Sequence, residues 1–188
     1  MQTYVTLLRG VNVGGNNLLP MQAFRELLAT LGAKSVNTYL QSGSAVFQHA
    51  ASNRDLLTRR LERSLKEQLG LVVPVFLLTR TELDQAIATN PFPQANDNPK
   101  SLHVFFLAEA PTAPELSGLE STRMKAEAYS LCGKFFYLYT PEGFGKSKLA
   151  TRVDQLLGVK TTARNWRSVC EIAKIAHTLG QSKSKTAG

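Results

Sequence analysis

The chain has 188 residues, 43% hydrophobic and 19% charged, which is typical of a folded globular protein and not of a disordered or fibrous one. Lysine and arginine (22) exceed aspartate and glutamate (14), and the resulting charge of +8 favours acidic partners such as nucleic acid, nucleotides or phosphorylated metabolites. No apolar run approaches the roughly 20 residues that span a bilayer, and no basic segment precedes the first one. We therefore expect a basic, cytoplasmic protein without a membrane anchor.

Apolar periodicity predicts the elements of the first half. In chain order these are a strand, a helix, two strands joined by Ser42-Gly43-Ser44, a helix and a strand, at residues 3–8, 21–31, 36–41, 45–48, 53–70 and 71–78. Pro74 places the last of these strands at a sheet edge, and a short helix follows at 81–88. Residues 91–98, rich in proline and polar side chains, predict a linker.

The same order of elements returns after the linker. We expect strands at 102–107, 128–131, 135–139 and 160–163, and helices near 115–119, at 147–157 and at 165–179. Two landmarks support a repeat: Tyr39 and Gly43 match Tyr129 and Gly133, and Leu69-Gly70 matches Leu157-Gly158. The prediction is an α+β protein of two similar ferredoxin-like βαββαβ units, at 1–90 and 99–180, with antiparallel sheets packed against helices and a disordered tail at 181–188.

The loop at residues 9–17 is the first candidate site. Glycine amides can approach a ligand closely, and the helix that follows adds unpaired N–H donors, so such a loop can hold an anion. The alternative is that Gly14-Gly15 simply forms a turn. The ferredoxin-like strand order brings this loop beside the hairpin at 41–43, and the candidate ligand-binding residues here are Arg9, Asn12, Gly14, Gly15, Asn16, Gln41 and Ser42.

The second candidate site is the corresponding end of the second unit. Its candidate ligand-binding residues are Lys146, Lys148, Arg164, Asn165, Trp166 and Arg167. A tryptophan between two arginines at a helix start can stack on a base or clamp a phosphate; alternatively, Trp166 anchors the core and the lysines are solvated. A P-loop nucleotide site is rejected because Thr140 stands where the motif requires glycine.

Two further patterns favour packing over binding. Phe135, Tyr137 and Tyr139 alternate along one strand as in RNA-recognition modules, but Phe136 occupies a position that needs a small residue there. The arginines of the helix at 53–70 are typical of a solvated helix face.

No residues form a recognisable catalytic or metal-ligating pattern. The three histidines and two cysteines lack metal-site spacing, and no serine elbow or carboxylate pair is evident, so we predict no metal and no cofactor and leave enzyme status open. The leading hypothesis is a binding protein for a phosphate-bearing small molecule or nucleic acid. The alternatives are an enzyme for a small phosphorylated or acyl substrate, using Tyr39, Ser42 or Lys148, and an interaction module that pairs a sheet edge with a partner or with itself.

Several segments resemble the bacterial domain of unknown function 1697 family. They are Leu7–Gly15 (LLRGVNVGG), Thr38–Gly43 (TYLQSG), Asn90-Pro91-Phe92, Ser147-Lys148-Leu149 and Thr161–Arg167 (TTARNWR). Ser44-Ala45 departs from the family's Asn-Val, and Ala163 interrupts a Thr-Thr-Arg-Asn-Trp run. The resemblance implies an α+β protein of two ferredoxin-like parts, with no established activity.

Overall fold

The computed structural model describes residues 1–181, in two compact units. Of the described residues, unit 1 comprises Met1–Asp84 and residues 171–181, and unit 2 comprises Gln85–Cys170. The expected tail lies outside the described residues, apart from Gln181 at the end of the last helix. No helix among the described residues is long and apolar enough to cross a membrane.

Unit 1 contains a four-stranded antiparallel sheet. Its strands are β1 (Gln2–Leu8), β2 (Lys34–Tyr39), β3 (Ser44–His49) and β4 (Val75–Thr79), in the spatial order β2-β3-β1-β4. The register pairs Leu7 with Ser44 and Leu8 with Val75. The end of β1, the β2–β3 hairpin and the start of β4 therefore meet at one end of the sheet, which we call the loop end of unit 1.

Helices α1 (Met21–Thr30) and α2 (Arg54–Leu69) cover one face of this sheet. Their buried apolar side chains recur at helical spacing and join those of the strands in one core, in which Phe24, Phe47 and Leu65 are fully buried. Local signals set the bounds of α2: Asn53 accepts a hydrogen bond from Leu56 N at 2.9 Å, and Gly70 ends the helix in the left-handed conformation. The short helix α3 (Arg80–Ala88) follows β4.

Unit 2 contains a second antiparallel sheet with a corresponding strand order. Its strands are β5 (Leu102–Leu107), β6 (Ala128–Cys132), β7 (Phe135–Tyr139) and β8 (Thr161–Asn165), in the order β6-β7-β5-β8. Helices α4 (Leu116–Thr122) and α5 (Val153–Leu157) pack on one face of it, and α6 (Trp166–Gln181) begins directly after β8. Mixed α+β architecture with two four-stranded antiparallel sheets is thus confirmed.

Three local expectations differ from the structure. β4 begins at Val75, so Pro74 precedes the strand instead of lying inside it. Helix α5 begins at Val153 and not at residue 147, because 148–152 form turns that start from a hydrogen bond of Ala150 N to Ser147 Oγ. The expected linker contains a 3-10 helix, Pro93–Asn96, whose Ala95 is fully buried.

The C-terminal helix is divided between the units by its contacts. The sequence predicts that this helix belongs wholly to the second unit, whereas its residues 171–181 group with unit 1. The side-chain amide of Gln48 donates to Leu179 O at 3.0 Å, and His177 Nε2 lies 2.8 Å from Asp84 Oδ1. These contacts join parts of unit 1 that are far apart in the chain.

Candidate functional site

The glycines of the first loop form a tight turn at the loop end of unit 1. Val13 and Asn16 pair as an isolated antiparallel bridge, and Asn16 N donates to Val13 O at 3.1 Å. Gly14 and Gly15, at φ +59° and +79°, connect them as a two-residue hairpin turn, a conformation that favours glycine. Both glycines are exposed, so the turn projects its backbone into solvent.

Asn12 fastens this loop to the β2–β3 hairpin. Its Nδ2 donates to Gln41 O and to Leu19 O, both at 2.9 Å, and its Oδ1 accepts from Leu19 N at 2.8 Å. The predicted neighbourhood of the loop and Gln41 is therefore confirmed. Since both amide hydrogens are used by the backbone, the side chain has a structural role in this conformation.

Gly43 permits close approach between the hairpin and the loop. Its carbonyl lies beside β1, where Leu8 N donates to Gly43 O at 2.9 Å. A Cβ at this position would lie 2.4 Å from Val11 Cγ2 and 2.9 Å from Leu8 Cβ. Only glycine fits this packing without displacement of neighbours.

The remaining candidates of unit 1 surround the turn. Gln41 is exposed and Arg9 is half-buried, with its backbone nitrogen donating to Pro74 O at 3.1 Å. Ser42 Oγ donates to Tyr39 O at 3.0 Å and lies 2.9 Å from Ser44 Oγ, which are hydrogen bonds of the hairpin. Helix α1 begins nearby after Pro20, and no side chain caps its first turn.

At the second candidate site, two segments come to the same end of the sheet of unit 2. Phe144 stacks on His103 with ring centroids 3.6 Å apart, and His103 is the register partner of Asn165. Lys146, Lys148 and Arg167 are exposed. The segment around Lys146 is a three-residue 3-10 helix and not the start of an α-helix.

The aromatic and amide candidates of this second end have structural contacts. Trp166 is 4% exposed, and its Nε1 donates to Asn96 Oδ1 at 3.0 Å, as the core-anchor interpretation requires. Asn165 Oδ1 accepts from Ser168 N at 2.9 Å and so caps α6. Arg164 Nη1 donates to Thr162 Oγ1 and Ala163 O, and burial lowers its pKa to about 10.

Within residues 1–181, the titratable groups do not assemble into a reactive arrangement. Burial lowers the pKa of His103 to about 4, and burial raises the pKa of Tyr137 to about 12, but the Tyr137 hydroxyl donates to Ala86 O inside unit 2. Phe135 and Tyr137 are buried, in agreement with packing rather than RNA stacking. Among residues 1–181, no three His, Cys, Asp or Glu side chains lie together in a way that could hold a metal ion.

Sequence reasoning missed the conformation of Leu40. This residue lies at φ +51° with its side chain exposed, although glycine or asparagine is the usual choice there. The sequence indicates the length of the connection between the two strands. That length does not specify which residue of the connection adopts the left-handed conformation.

The fold defines an α+β protein with two four-stranded antiparallel sheets. The candidate site is the loop end of unit 1, and its described residues form no recognisable catalytic arrangement. The family model described as "Protein of unknown function (DUF1697)" matches residues 1–137, and the chain belongs to this family. The resemblance seen in the sequence is thus confirmed, while its segments at 147–149 and 161–167 lie beyond the matched residues.

A solved structure shares the fold. It is that of the conserved bacterial protein SP0830 from Streptococcus pneumoniae, which is 20% identical, with 93% of this chain and 98% of that chain covered and a TM-score of 0.72. At this identity the similarity concerns the fold alone. No curated protein matches the chain.

Proposed function

We propose that this protein binds a phosphate-bearing ligand, a nucleotide-like metabolite or a nucleic acid, at the loop end of unit 1. The exposed Gly14-Gly15 turn would supply backbone N–H groups, Arg9 a cation and Gln41 an amide that orients the ligand. Asn12 would act as the positioning residue, because its hydrogen bonds hold the turn beside Gln41.

One observation carries this proposal: the turn, the β2–β3 hairpin and the uncapped start of α1 converge at one end of the sheet. The Asn12 side chain bonds the hairpin at Gln41 O and the segment before α1 at Leu19, which is followed by Pro20 and then by the helix. A helix start without a side-chain cap has unpaired donors and a partial positive charge, both favourable to an anion. The net charge of +8 acts in the same direction at long range.

We assign the second end a smaller part. Lys146, Lys148 and Arg167 are exposed and would add non-specific attraction for an extended nucleic acid. Trp166, Arg164 and Asn165 are engaged by unit 2 itself, so we propose that they shape this end instead of contacting the ligand.

We further propose that the two units are duplicated ferredoxin-like domains of a cytoplasmic protein. Support comes from the corresponding strand orders and from matched helix ends: Gly70 and Gly158 close α2 and α5 at nearly the same backbone angles, φ +67° and +70°. The two cysteines are free, which suits a reducing compartment.

The test is an amide NMR titration of the full chain with pyrophosphate, a nucleoside triphosphate and a short single-stranded oligonucleotide. We expect shifts at the amides of Gly14 and Gly15, and binding that Arg9→Gln weakens about tenfold, as befits one charge-assisted contact. Arg63→Gln is the control, because Arg63 is exposed on α2 and its replacement removes the same positive charge.

Each outcome bears on one version of the proposal. Oligonucleotide affinity that does not fall from low to physiological salt would exclude nucleic acid as the ligand. Equal weakening by Arg9→Gln and Arg63→Gln would mean that only net charge matters, and the loop end would no longer be the site.

A further inference from the structure

Three large apolar side chains are exposed around Asn12: Val13 is 66% exposed, Leu18 70% and Leu40 65%. Val13 follows Asn12 directly, while Leu18 and Leu40 immediately precede Leu19 and Gln41, the two residues whose backbones bind the Asn12 side chain. The three residues therefore lie at the loop end of unit 1, and we call them together the apolar tip.

The exposure of the apolar tip does not follow from any need of the core. Within the same loop Val11 and Leu19 are buried and supply the apolar contacts of unit 1. Leu40 additionally adopts φ +51°, a conformation that costs a leucine free energy and that glycine or asparagine adopts readily. A strained and exposed leucine lowers stability, which indicates a role in binding.

We propose that the apolar tip docks a protein partner that presents apolar side chains flanked by carboxylates. Grouped exposed apolar side chains at a loop end match the apolar centre of a protein interface. A phosphate group gains nothing from them.

The charges around the tip select an acidic partner. Residues 9–20 and 37–44 contain no aspartate or glutamate, and Glu26 is the only acidic residue among the first 54. Arg25 donates to neutral acceptors, Thr38 Oγ1 at 2.8 Å and Gln22 Oε1 at 2.6 Å, while Gln22 in turn donates to the carboxylate of Glu26. A second copy of the chain is a poor partner, because each copy has a charge of +8.

This inference does not depend on phosphate binding, because it is argued from the apolar side chains of the tip and not from the groups proposed to bind phosphate. Replacing an apolar residue of the tip leaves Arg9, Gln41 and the glycine amides in place. The two proposals can therefore fail separately.

The experiment is selection of a random peptide library displayed on phage against the full-length protein. We expect the enriched peptides to combine apolar residues with aspartate or glutamate. A synthetic copy of the most enriched peptide should lose about tenfold in affinity, or more, for Leu40→Asn and for Leu18→Ser. Leu40→Asn suits the left-handed backbone and so preserves folding, which circular dichroism checks.

Leu56→Ser is the matched control, because Leu56 is 56% exposed on α2, away from the loop end, and its replacement should leave the affinity unchanged. The proposal is overturned if no peptide is enriched, if the enriched peptides are basic or lack carboxylates, or if Leu40→Asn binds like the wild type. It is also overturned if sedimentation shows self-association that Leu40→Asn abolishes, since the occupant would then be a second copy.

Discussion

At the scale of single residues, the side-chain amide of Asn12 makes all its hydrogen bonds within the folded chain. Its two Nδ2 hydrogens and its Oδ1 all bond the backbone, and its own φ of +54° is one that asparagine tolerates better than most residues. Asn17 behaves similarly: at φ +49° it donates through Nδ2 to Gly10 O. An asparagine-rich loop thus holds itself in shape before any ligand is present.

Asn12→Ala should lower the free energy of unfolding by about 1 to 3 kcal/mol. The variant leaves the Leu19 and Gln41 backbone groups without their partner and places alanine at positive φ. Urea denaturation measures the loss. Asn16→Ala, at the exposed turn, should change stability by no more than about 0.5 kcal/mol, and equal losses in both variants would contradict the structural role of Asn12.

His103 should make stability depend on pH between about 4 and 6.5. Burial lowers its pKa from 6.5 to about 4, and its Nδ1 has no hydrogen-bond partner among the described residues. As pH falls through this window the unfolded chain takes up a proton that the folded protein does not, so the stability present above pH 6.5 is lost. The slope approaches about 1.4 kcal/mol per pH unit.

Urea denaturation of wild type and His103→Phe over this range tests the prediction. Phenylalanine keeps a ring against Phe144 and cannot titrate, so the stability of the variant should fall less steeply as acid is added. Parallel curves for the two proteins would show that His103 titrates normally in the folded state.

At the scale of elements, two hairpins in equivalent positions use glycine for different reasons. Gly43, after β2, combines φ +65° with close packing against Val11 and Leu8. Gly133, between β6 and β7, has φ +58° but nothing within 4 Å of an added Cβ. Of these two glycines, only Gly43 is packed too closely for a side chain.

Gly43→Ala should therefore cost much more stability than Gly133→Ala. We expect a loss of about 2 to 4 kcal/mol for Gly43→Ala, from backbone strain and overpacking together. Gly133→Ala should lose only about 1 kcal/mol, from backbone strain alone. Thermal and urea unfolding of the two variants decide this, and similar losses would mean that Val11 moves aside at little cost.

At the scale of the whole molecule, the chain crosses between its compact units twice, in α3 and in α6. Residues 171–181 lie far in sequence from the strands of unit 1 and still belong to it. Ala176 is fully buried in this part of α6. The stability of unit 1 thus depends on residues that lie far in sequence from its sheet.

Ala176→Asp should destabilise unit 1 by about 3 kcal/mol or more, because it buries a charge without a partner. Hydrogen exchange should show the loss of protection in β1, β3 and β4. Thr178→Asp, at an exposed position of the same helix, is the control. Unchanged protection of these strands in Ala176→Asp would contradict the grouping of the C-terminal residues with unit 1.

The sequence by itself determined the order of elements, the paired antiparallel sheets and the neighbourhood of the first loop and the β2–β3 hairpin. These follow from local signals: apolar periodicity, the Asn53 cap and the glycine that ends α2. Topology then brings the loop to the end of the sheet where Gln41 lies, and the Asn12 side chain bonds it there.

Only the tertiary structure decided what the candidate residues touch. The sequence pattern of a tryptophan between arginines does not distinguish an exposed side chain from a buried one. The hydrogen-bond partner of Trp166 is Asn96, which lies 70 positions away in the chain. Leu40 and Val11 are both apolar residues of connecting segments, yet one faces solvent and the other the core. The reason is physical: residue type records the chemistry that a side chain can offer, whereas burial and hydrogen-bond partners depend on chain segments far away in sequence.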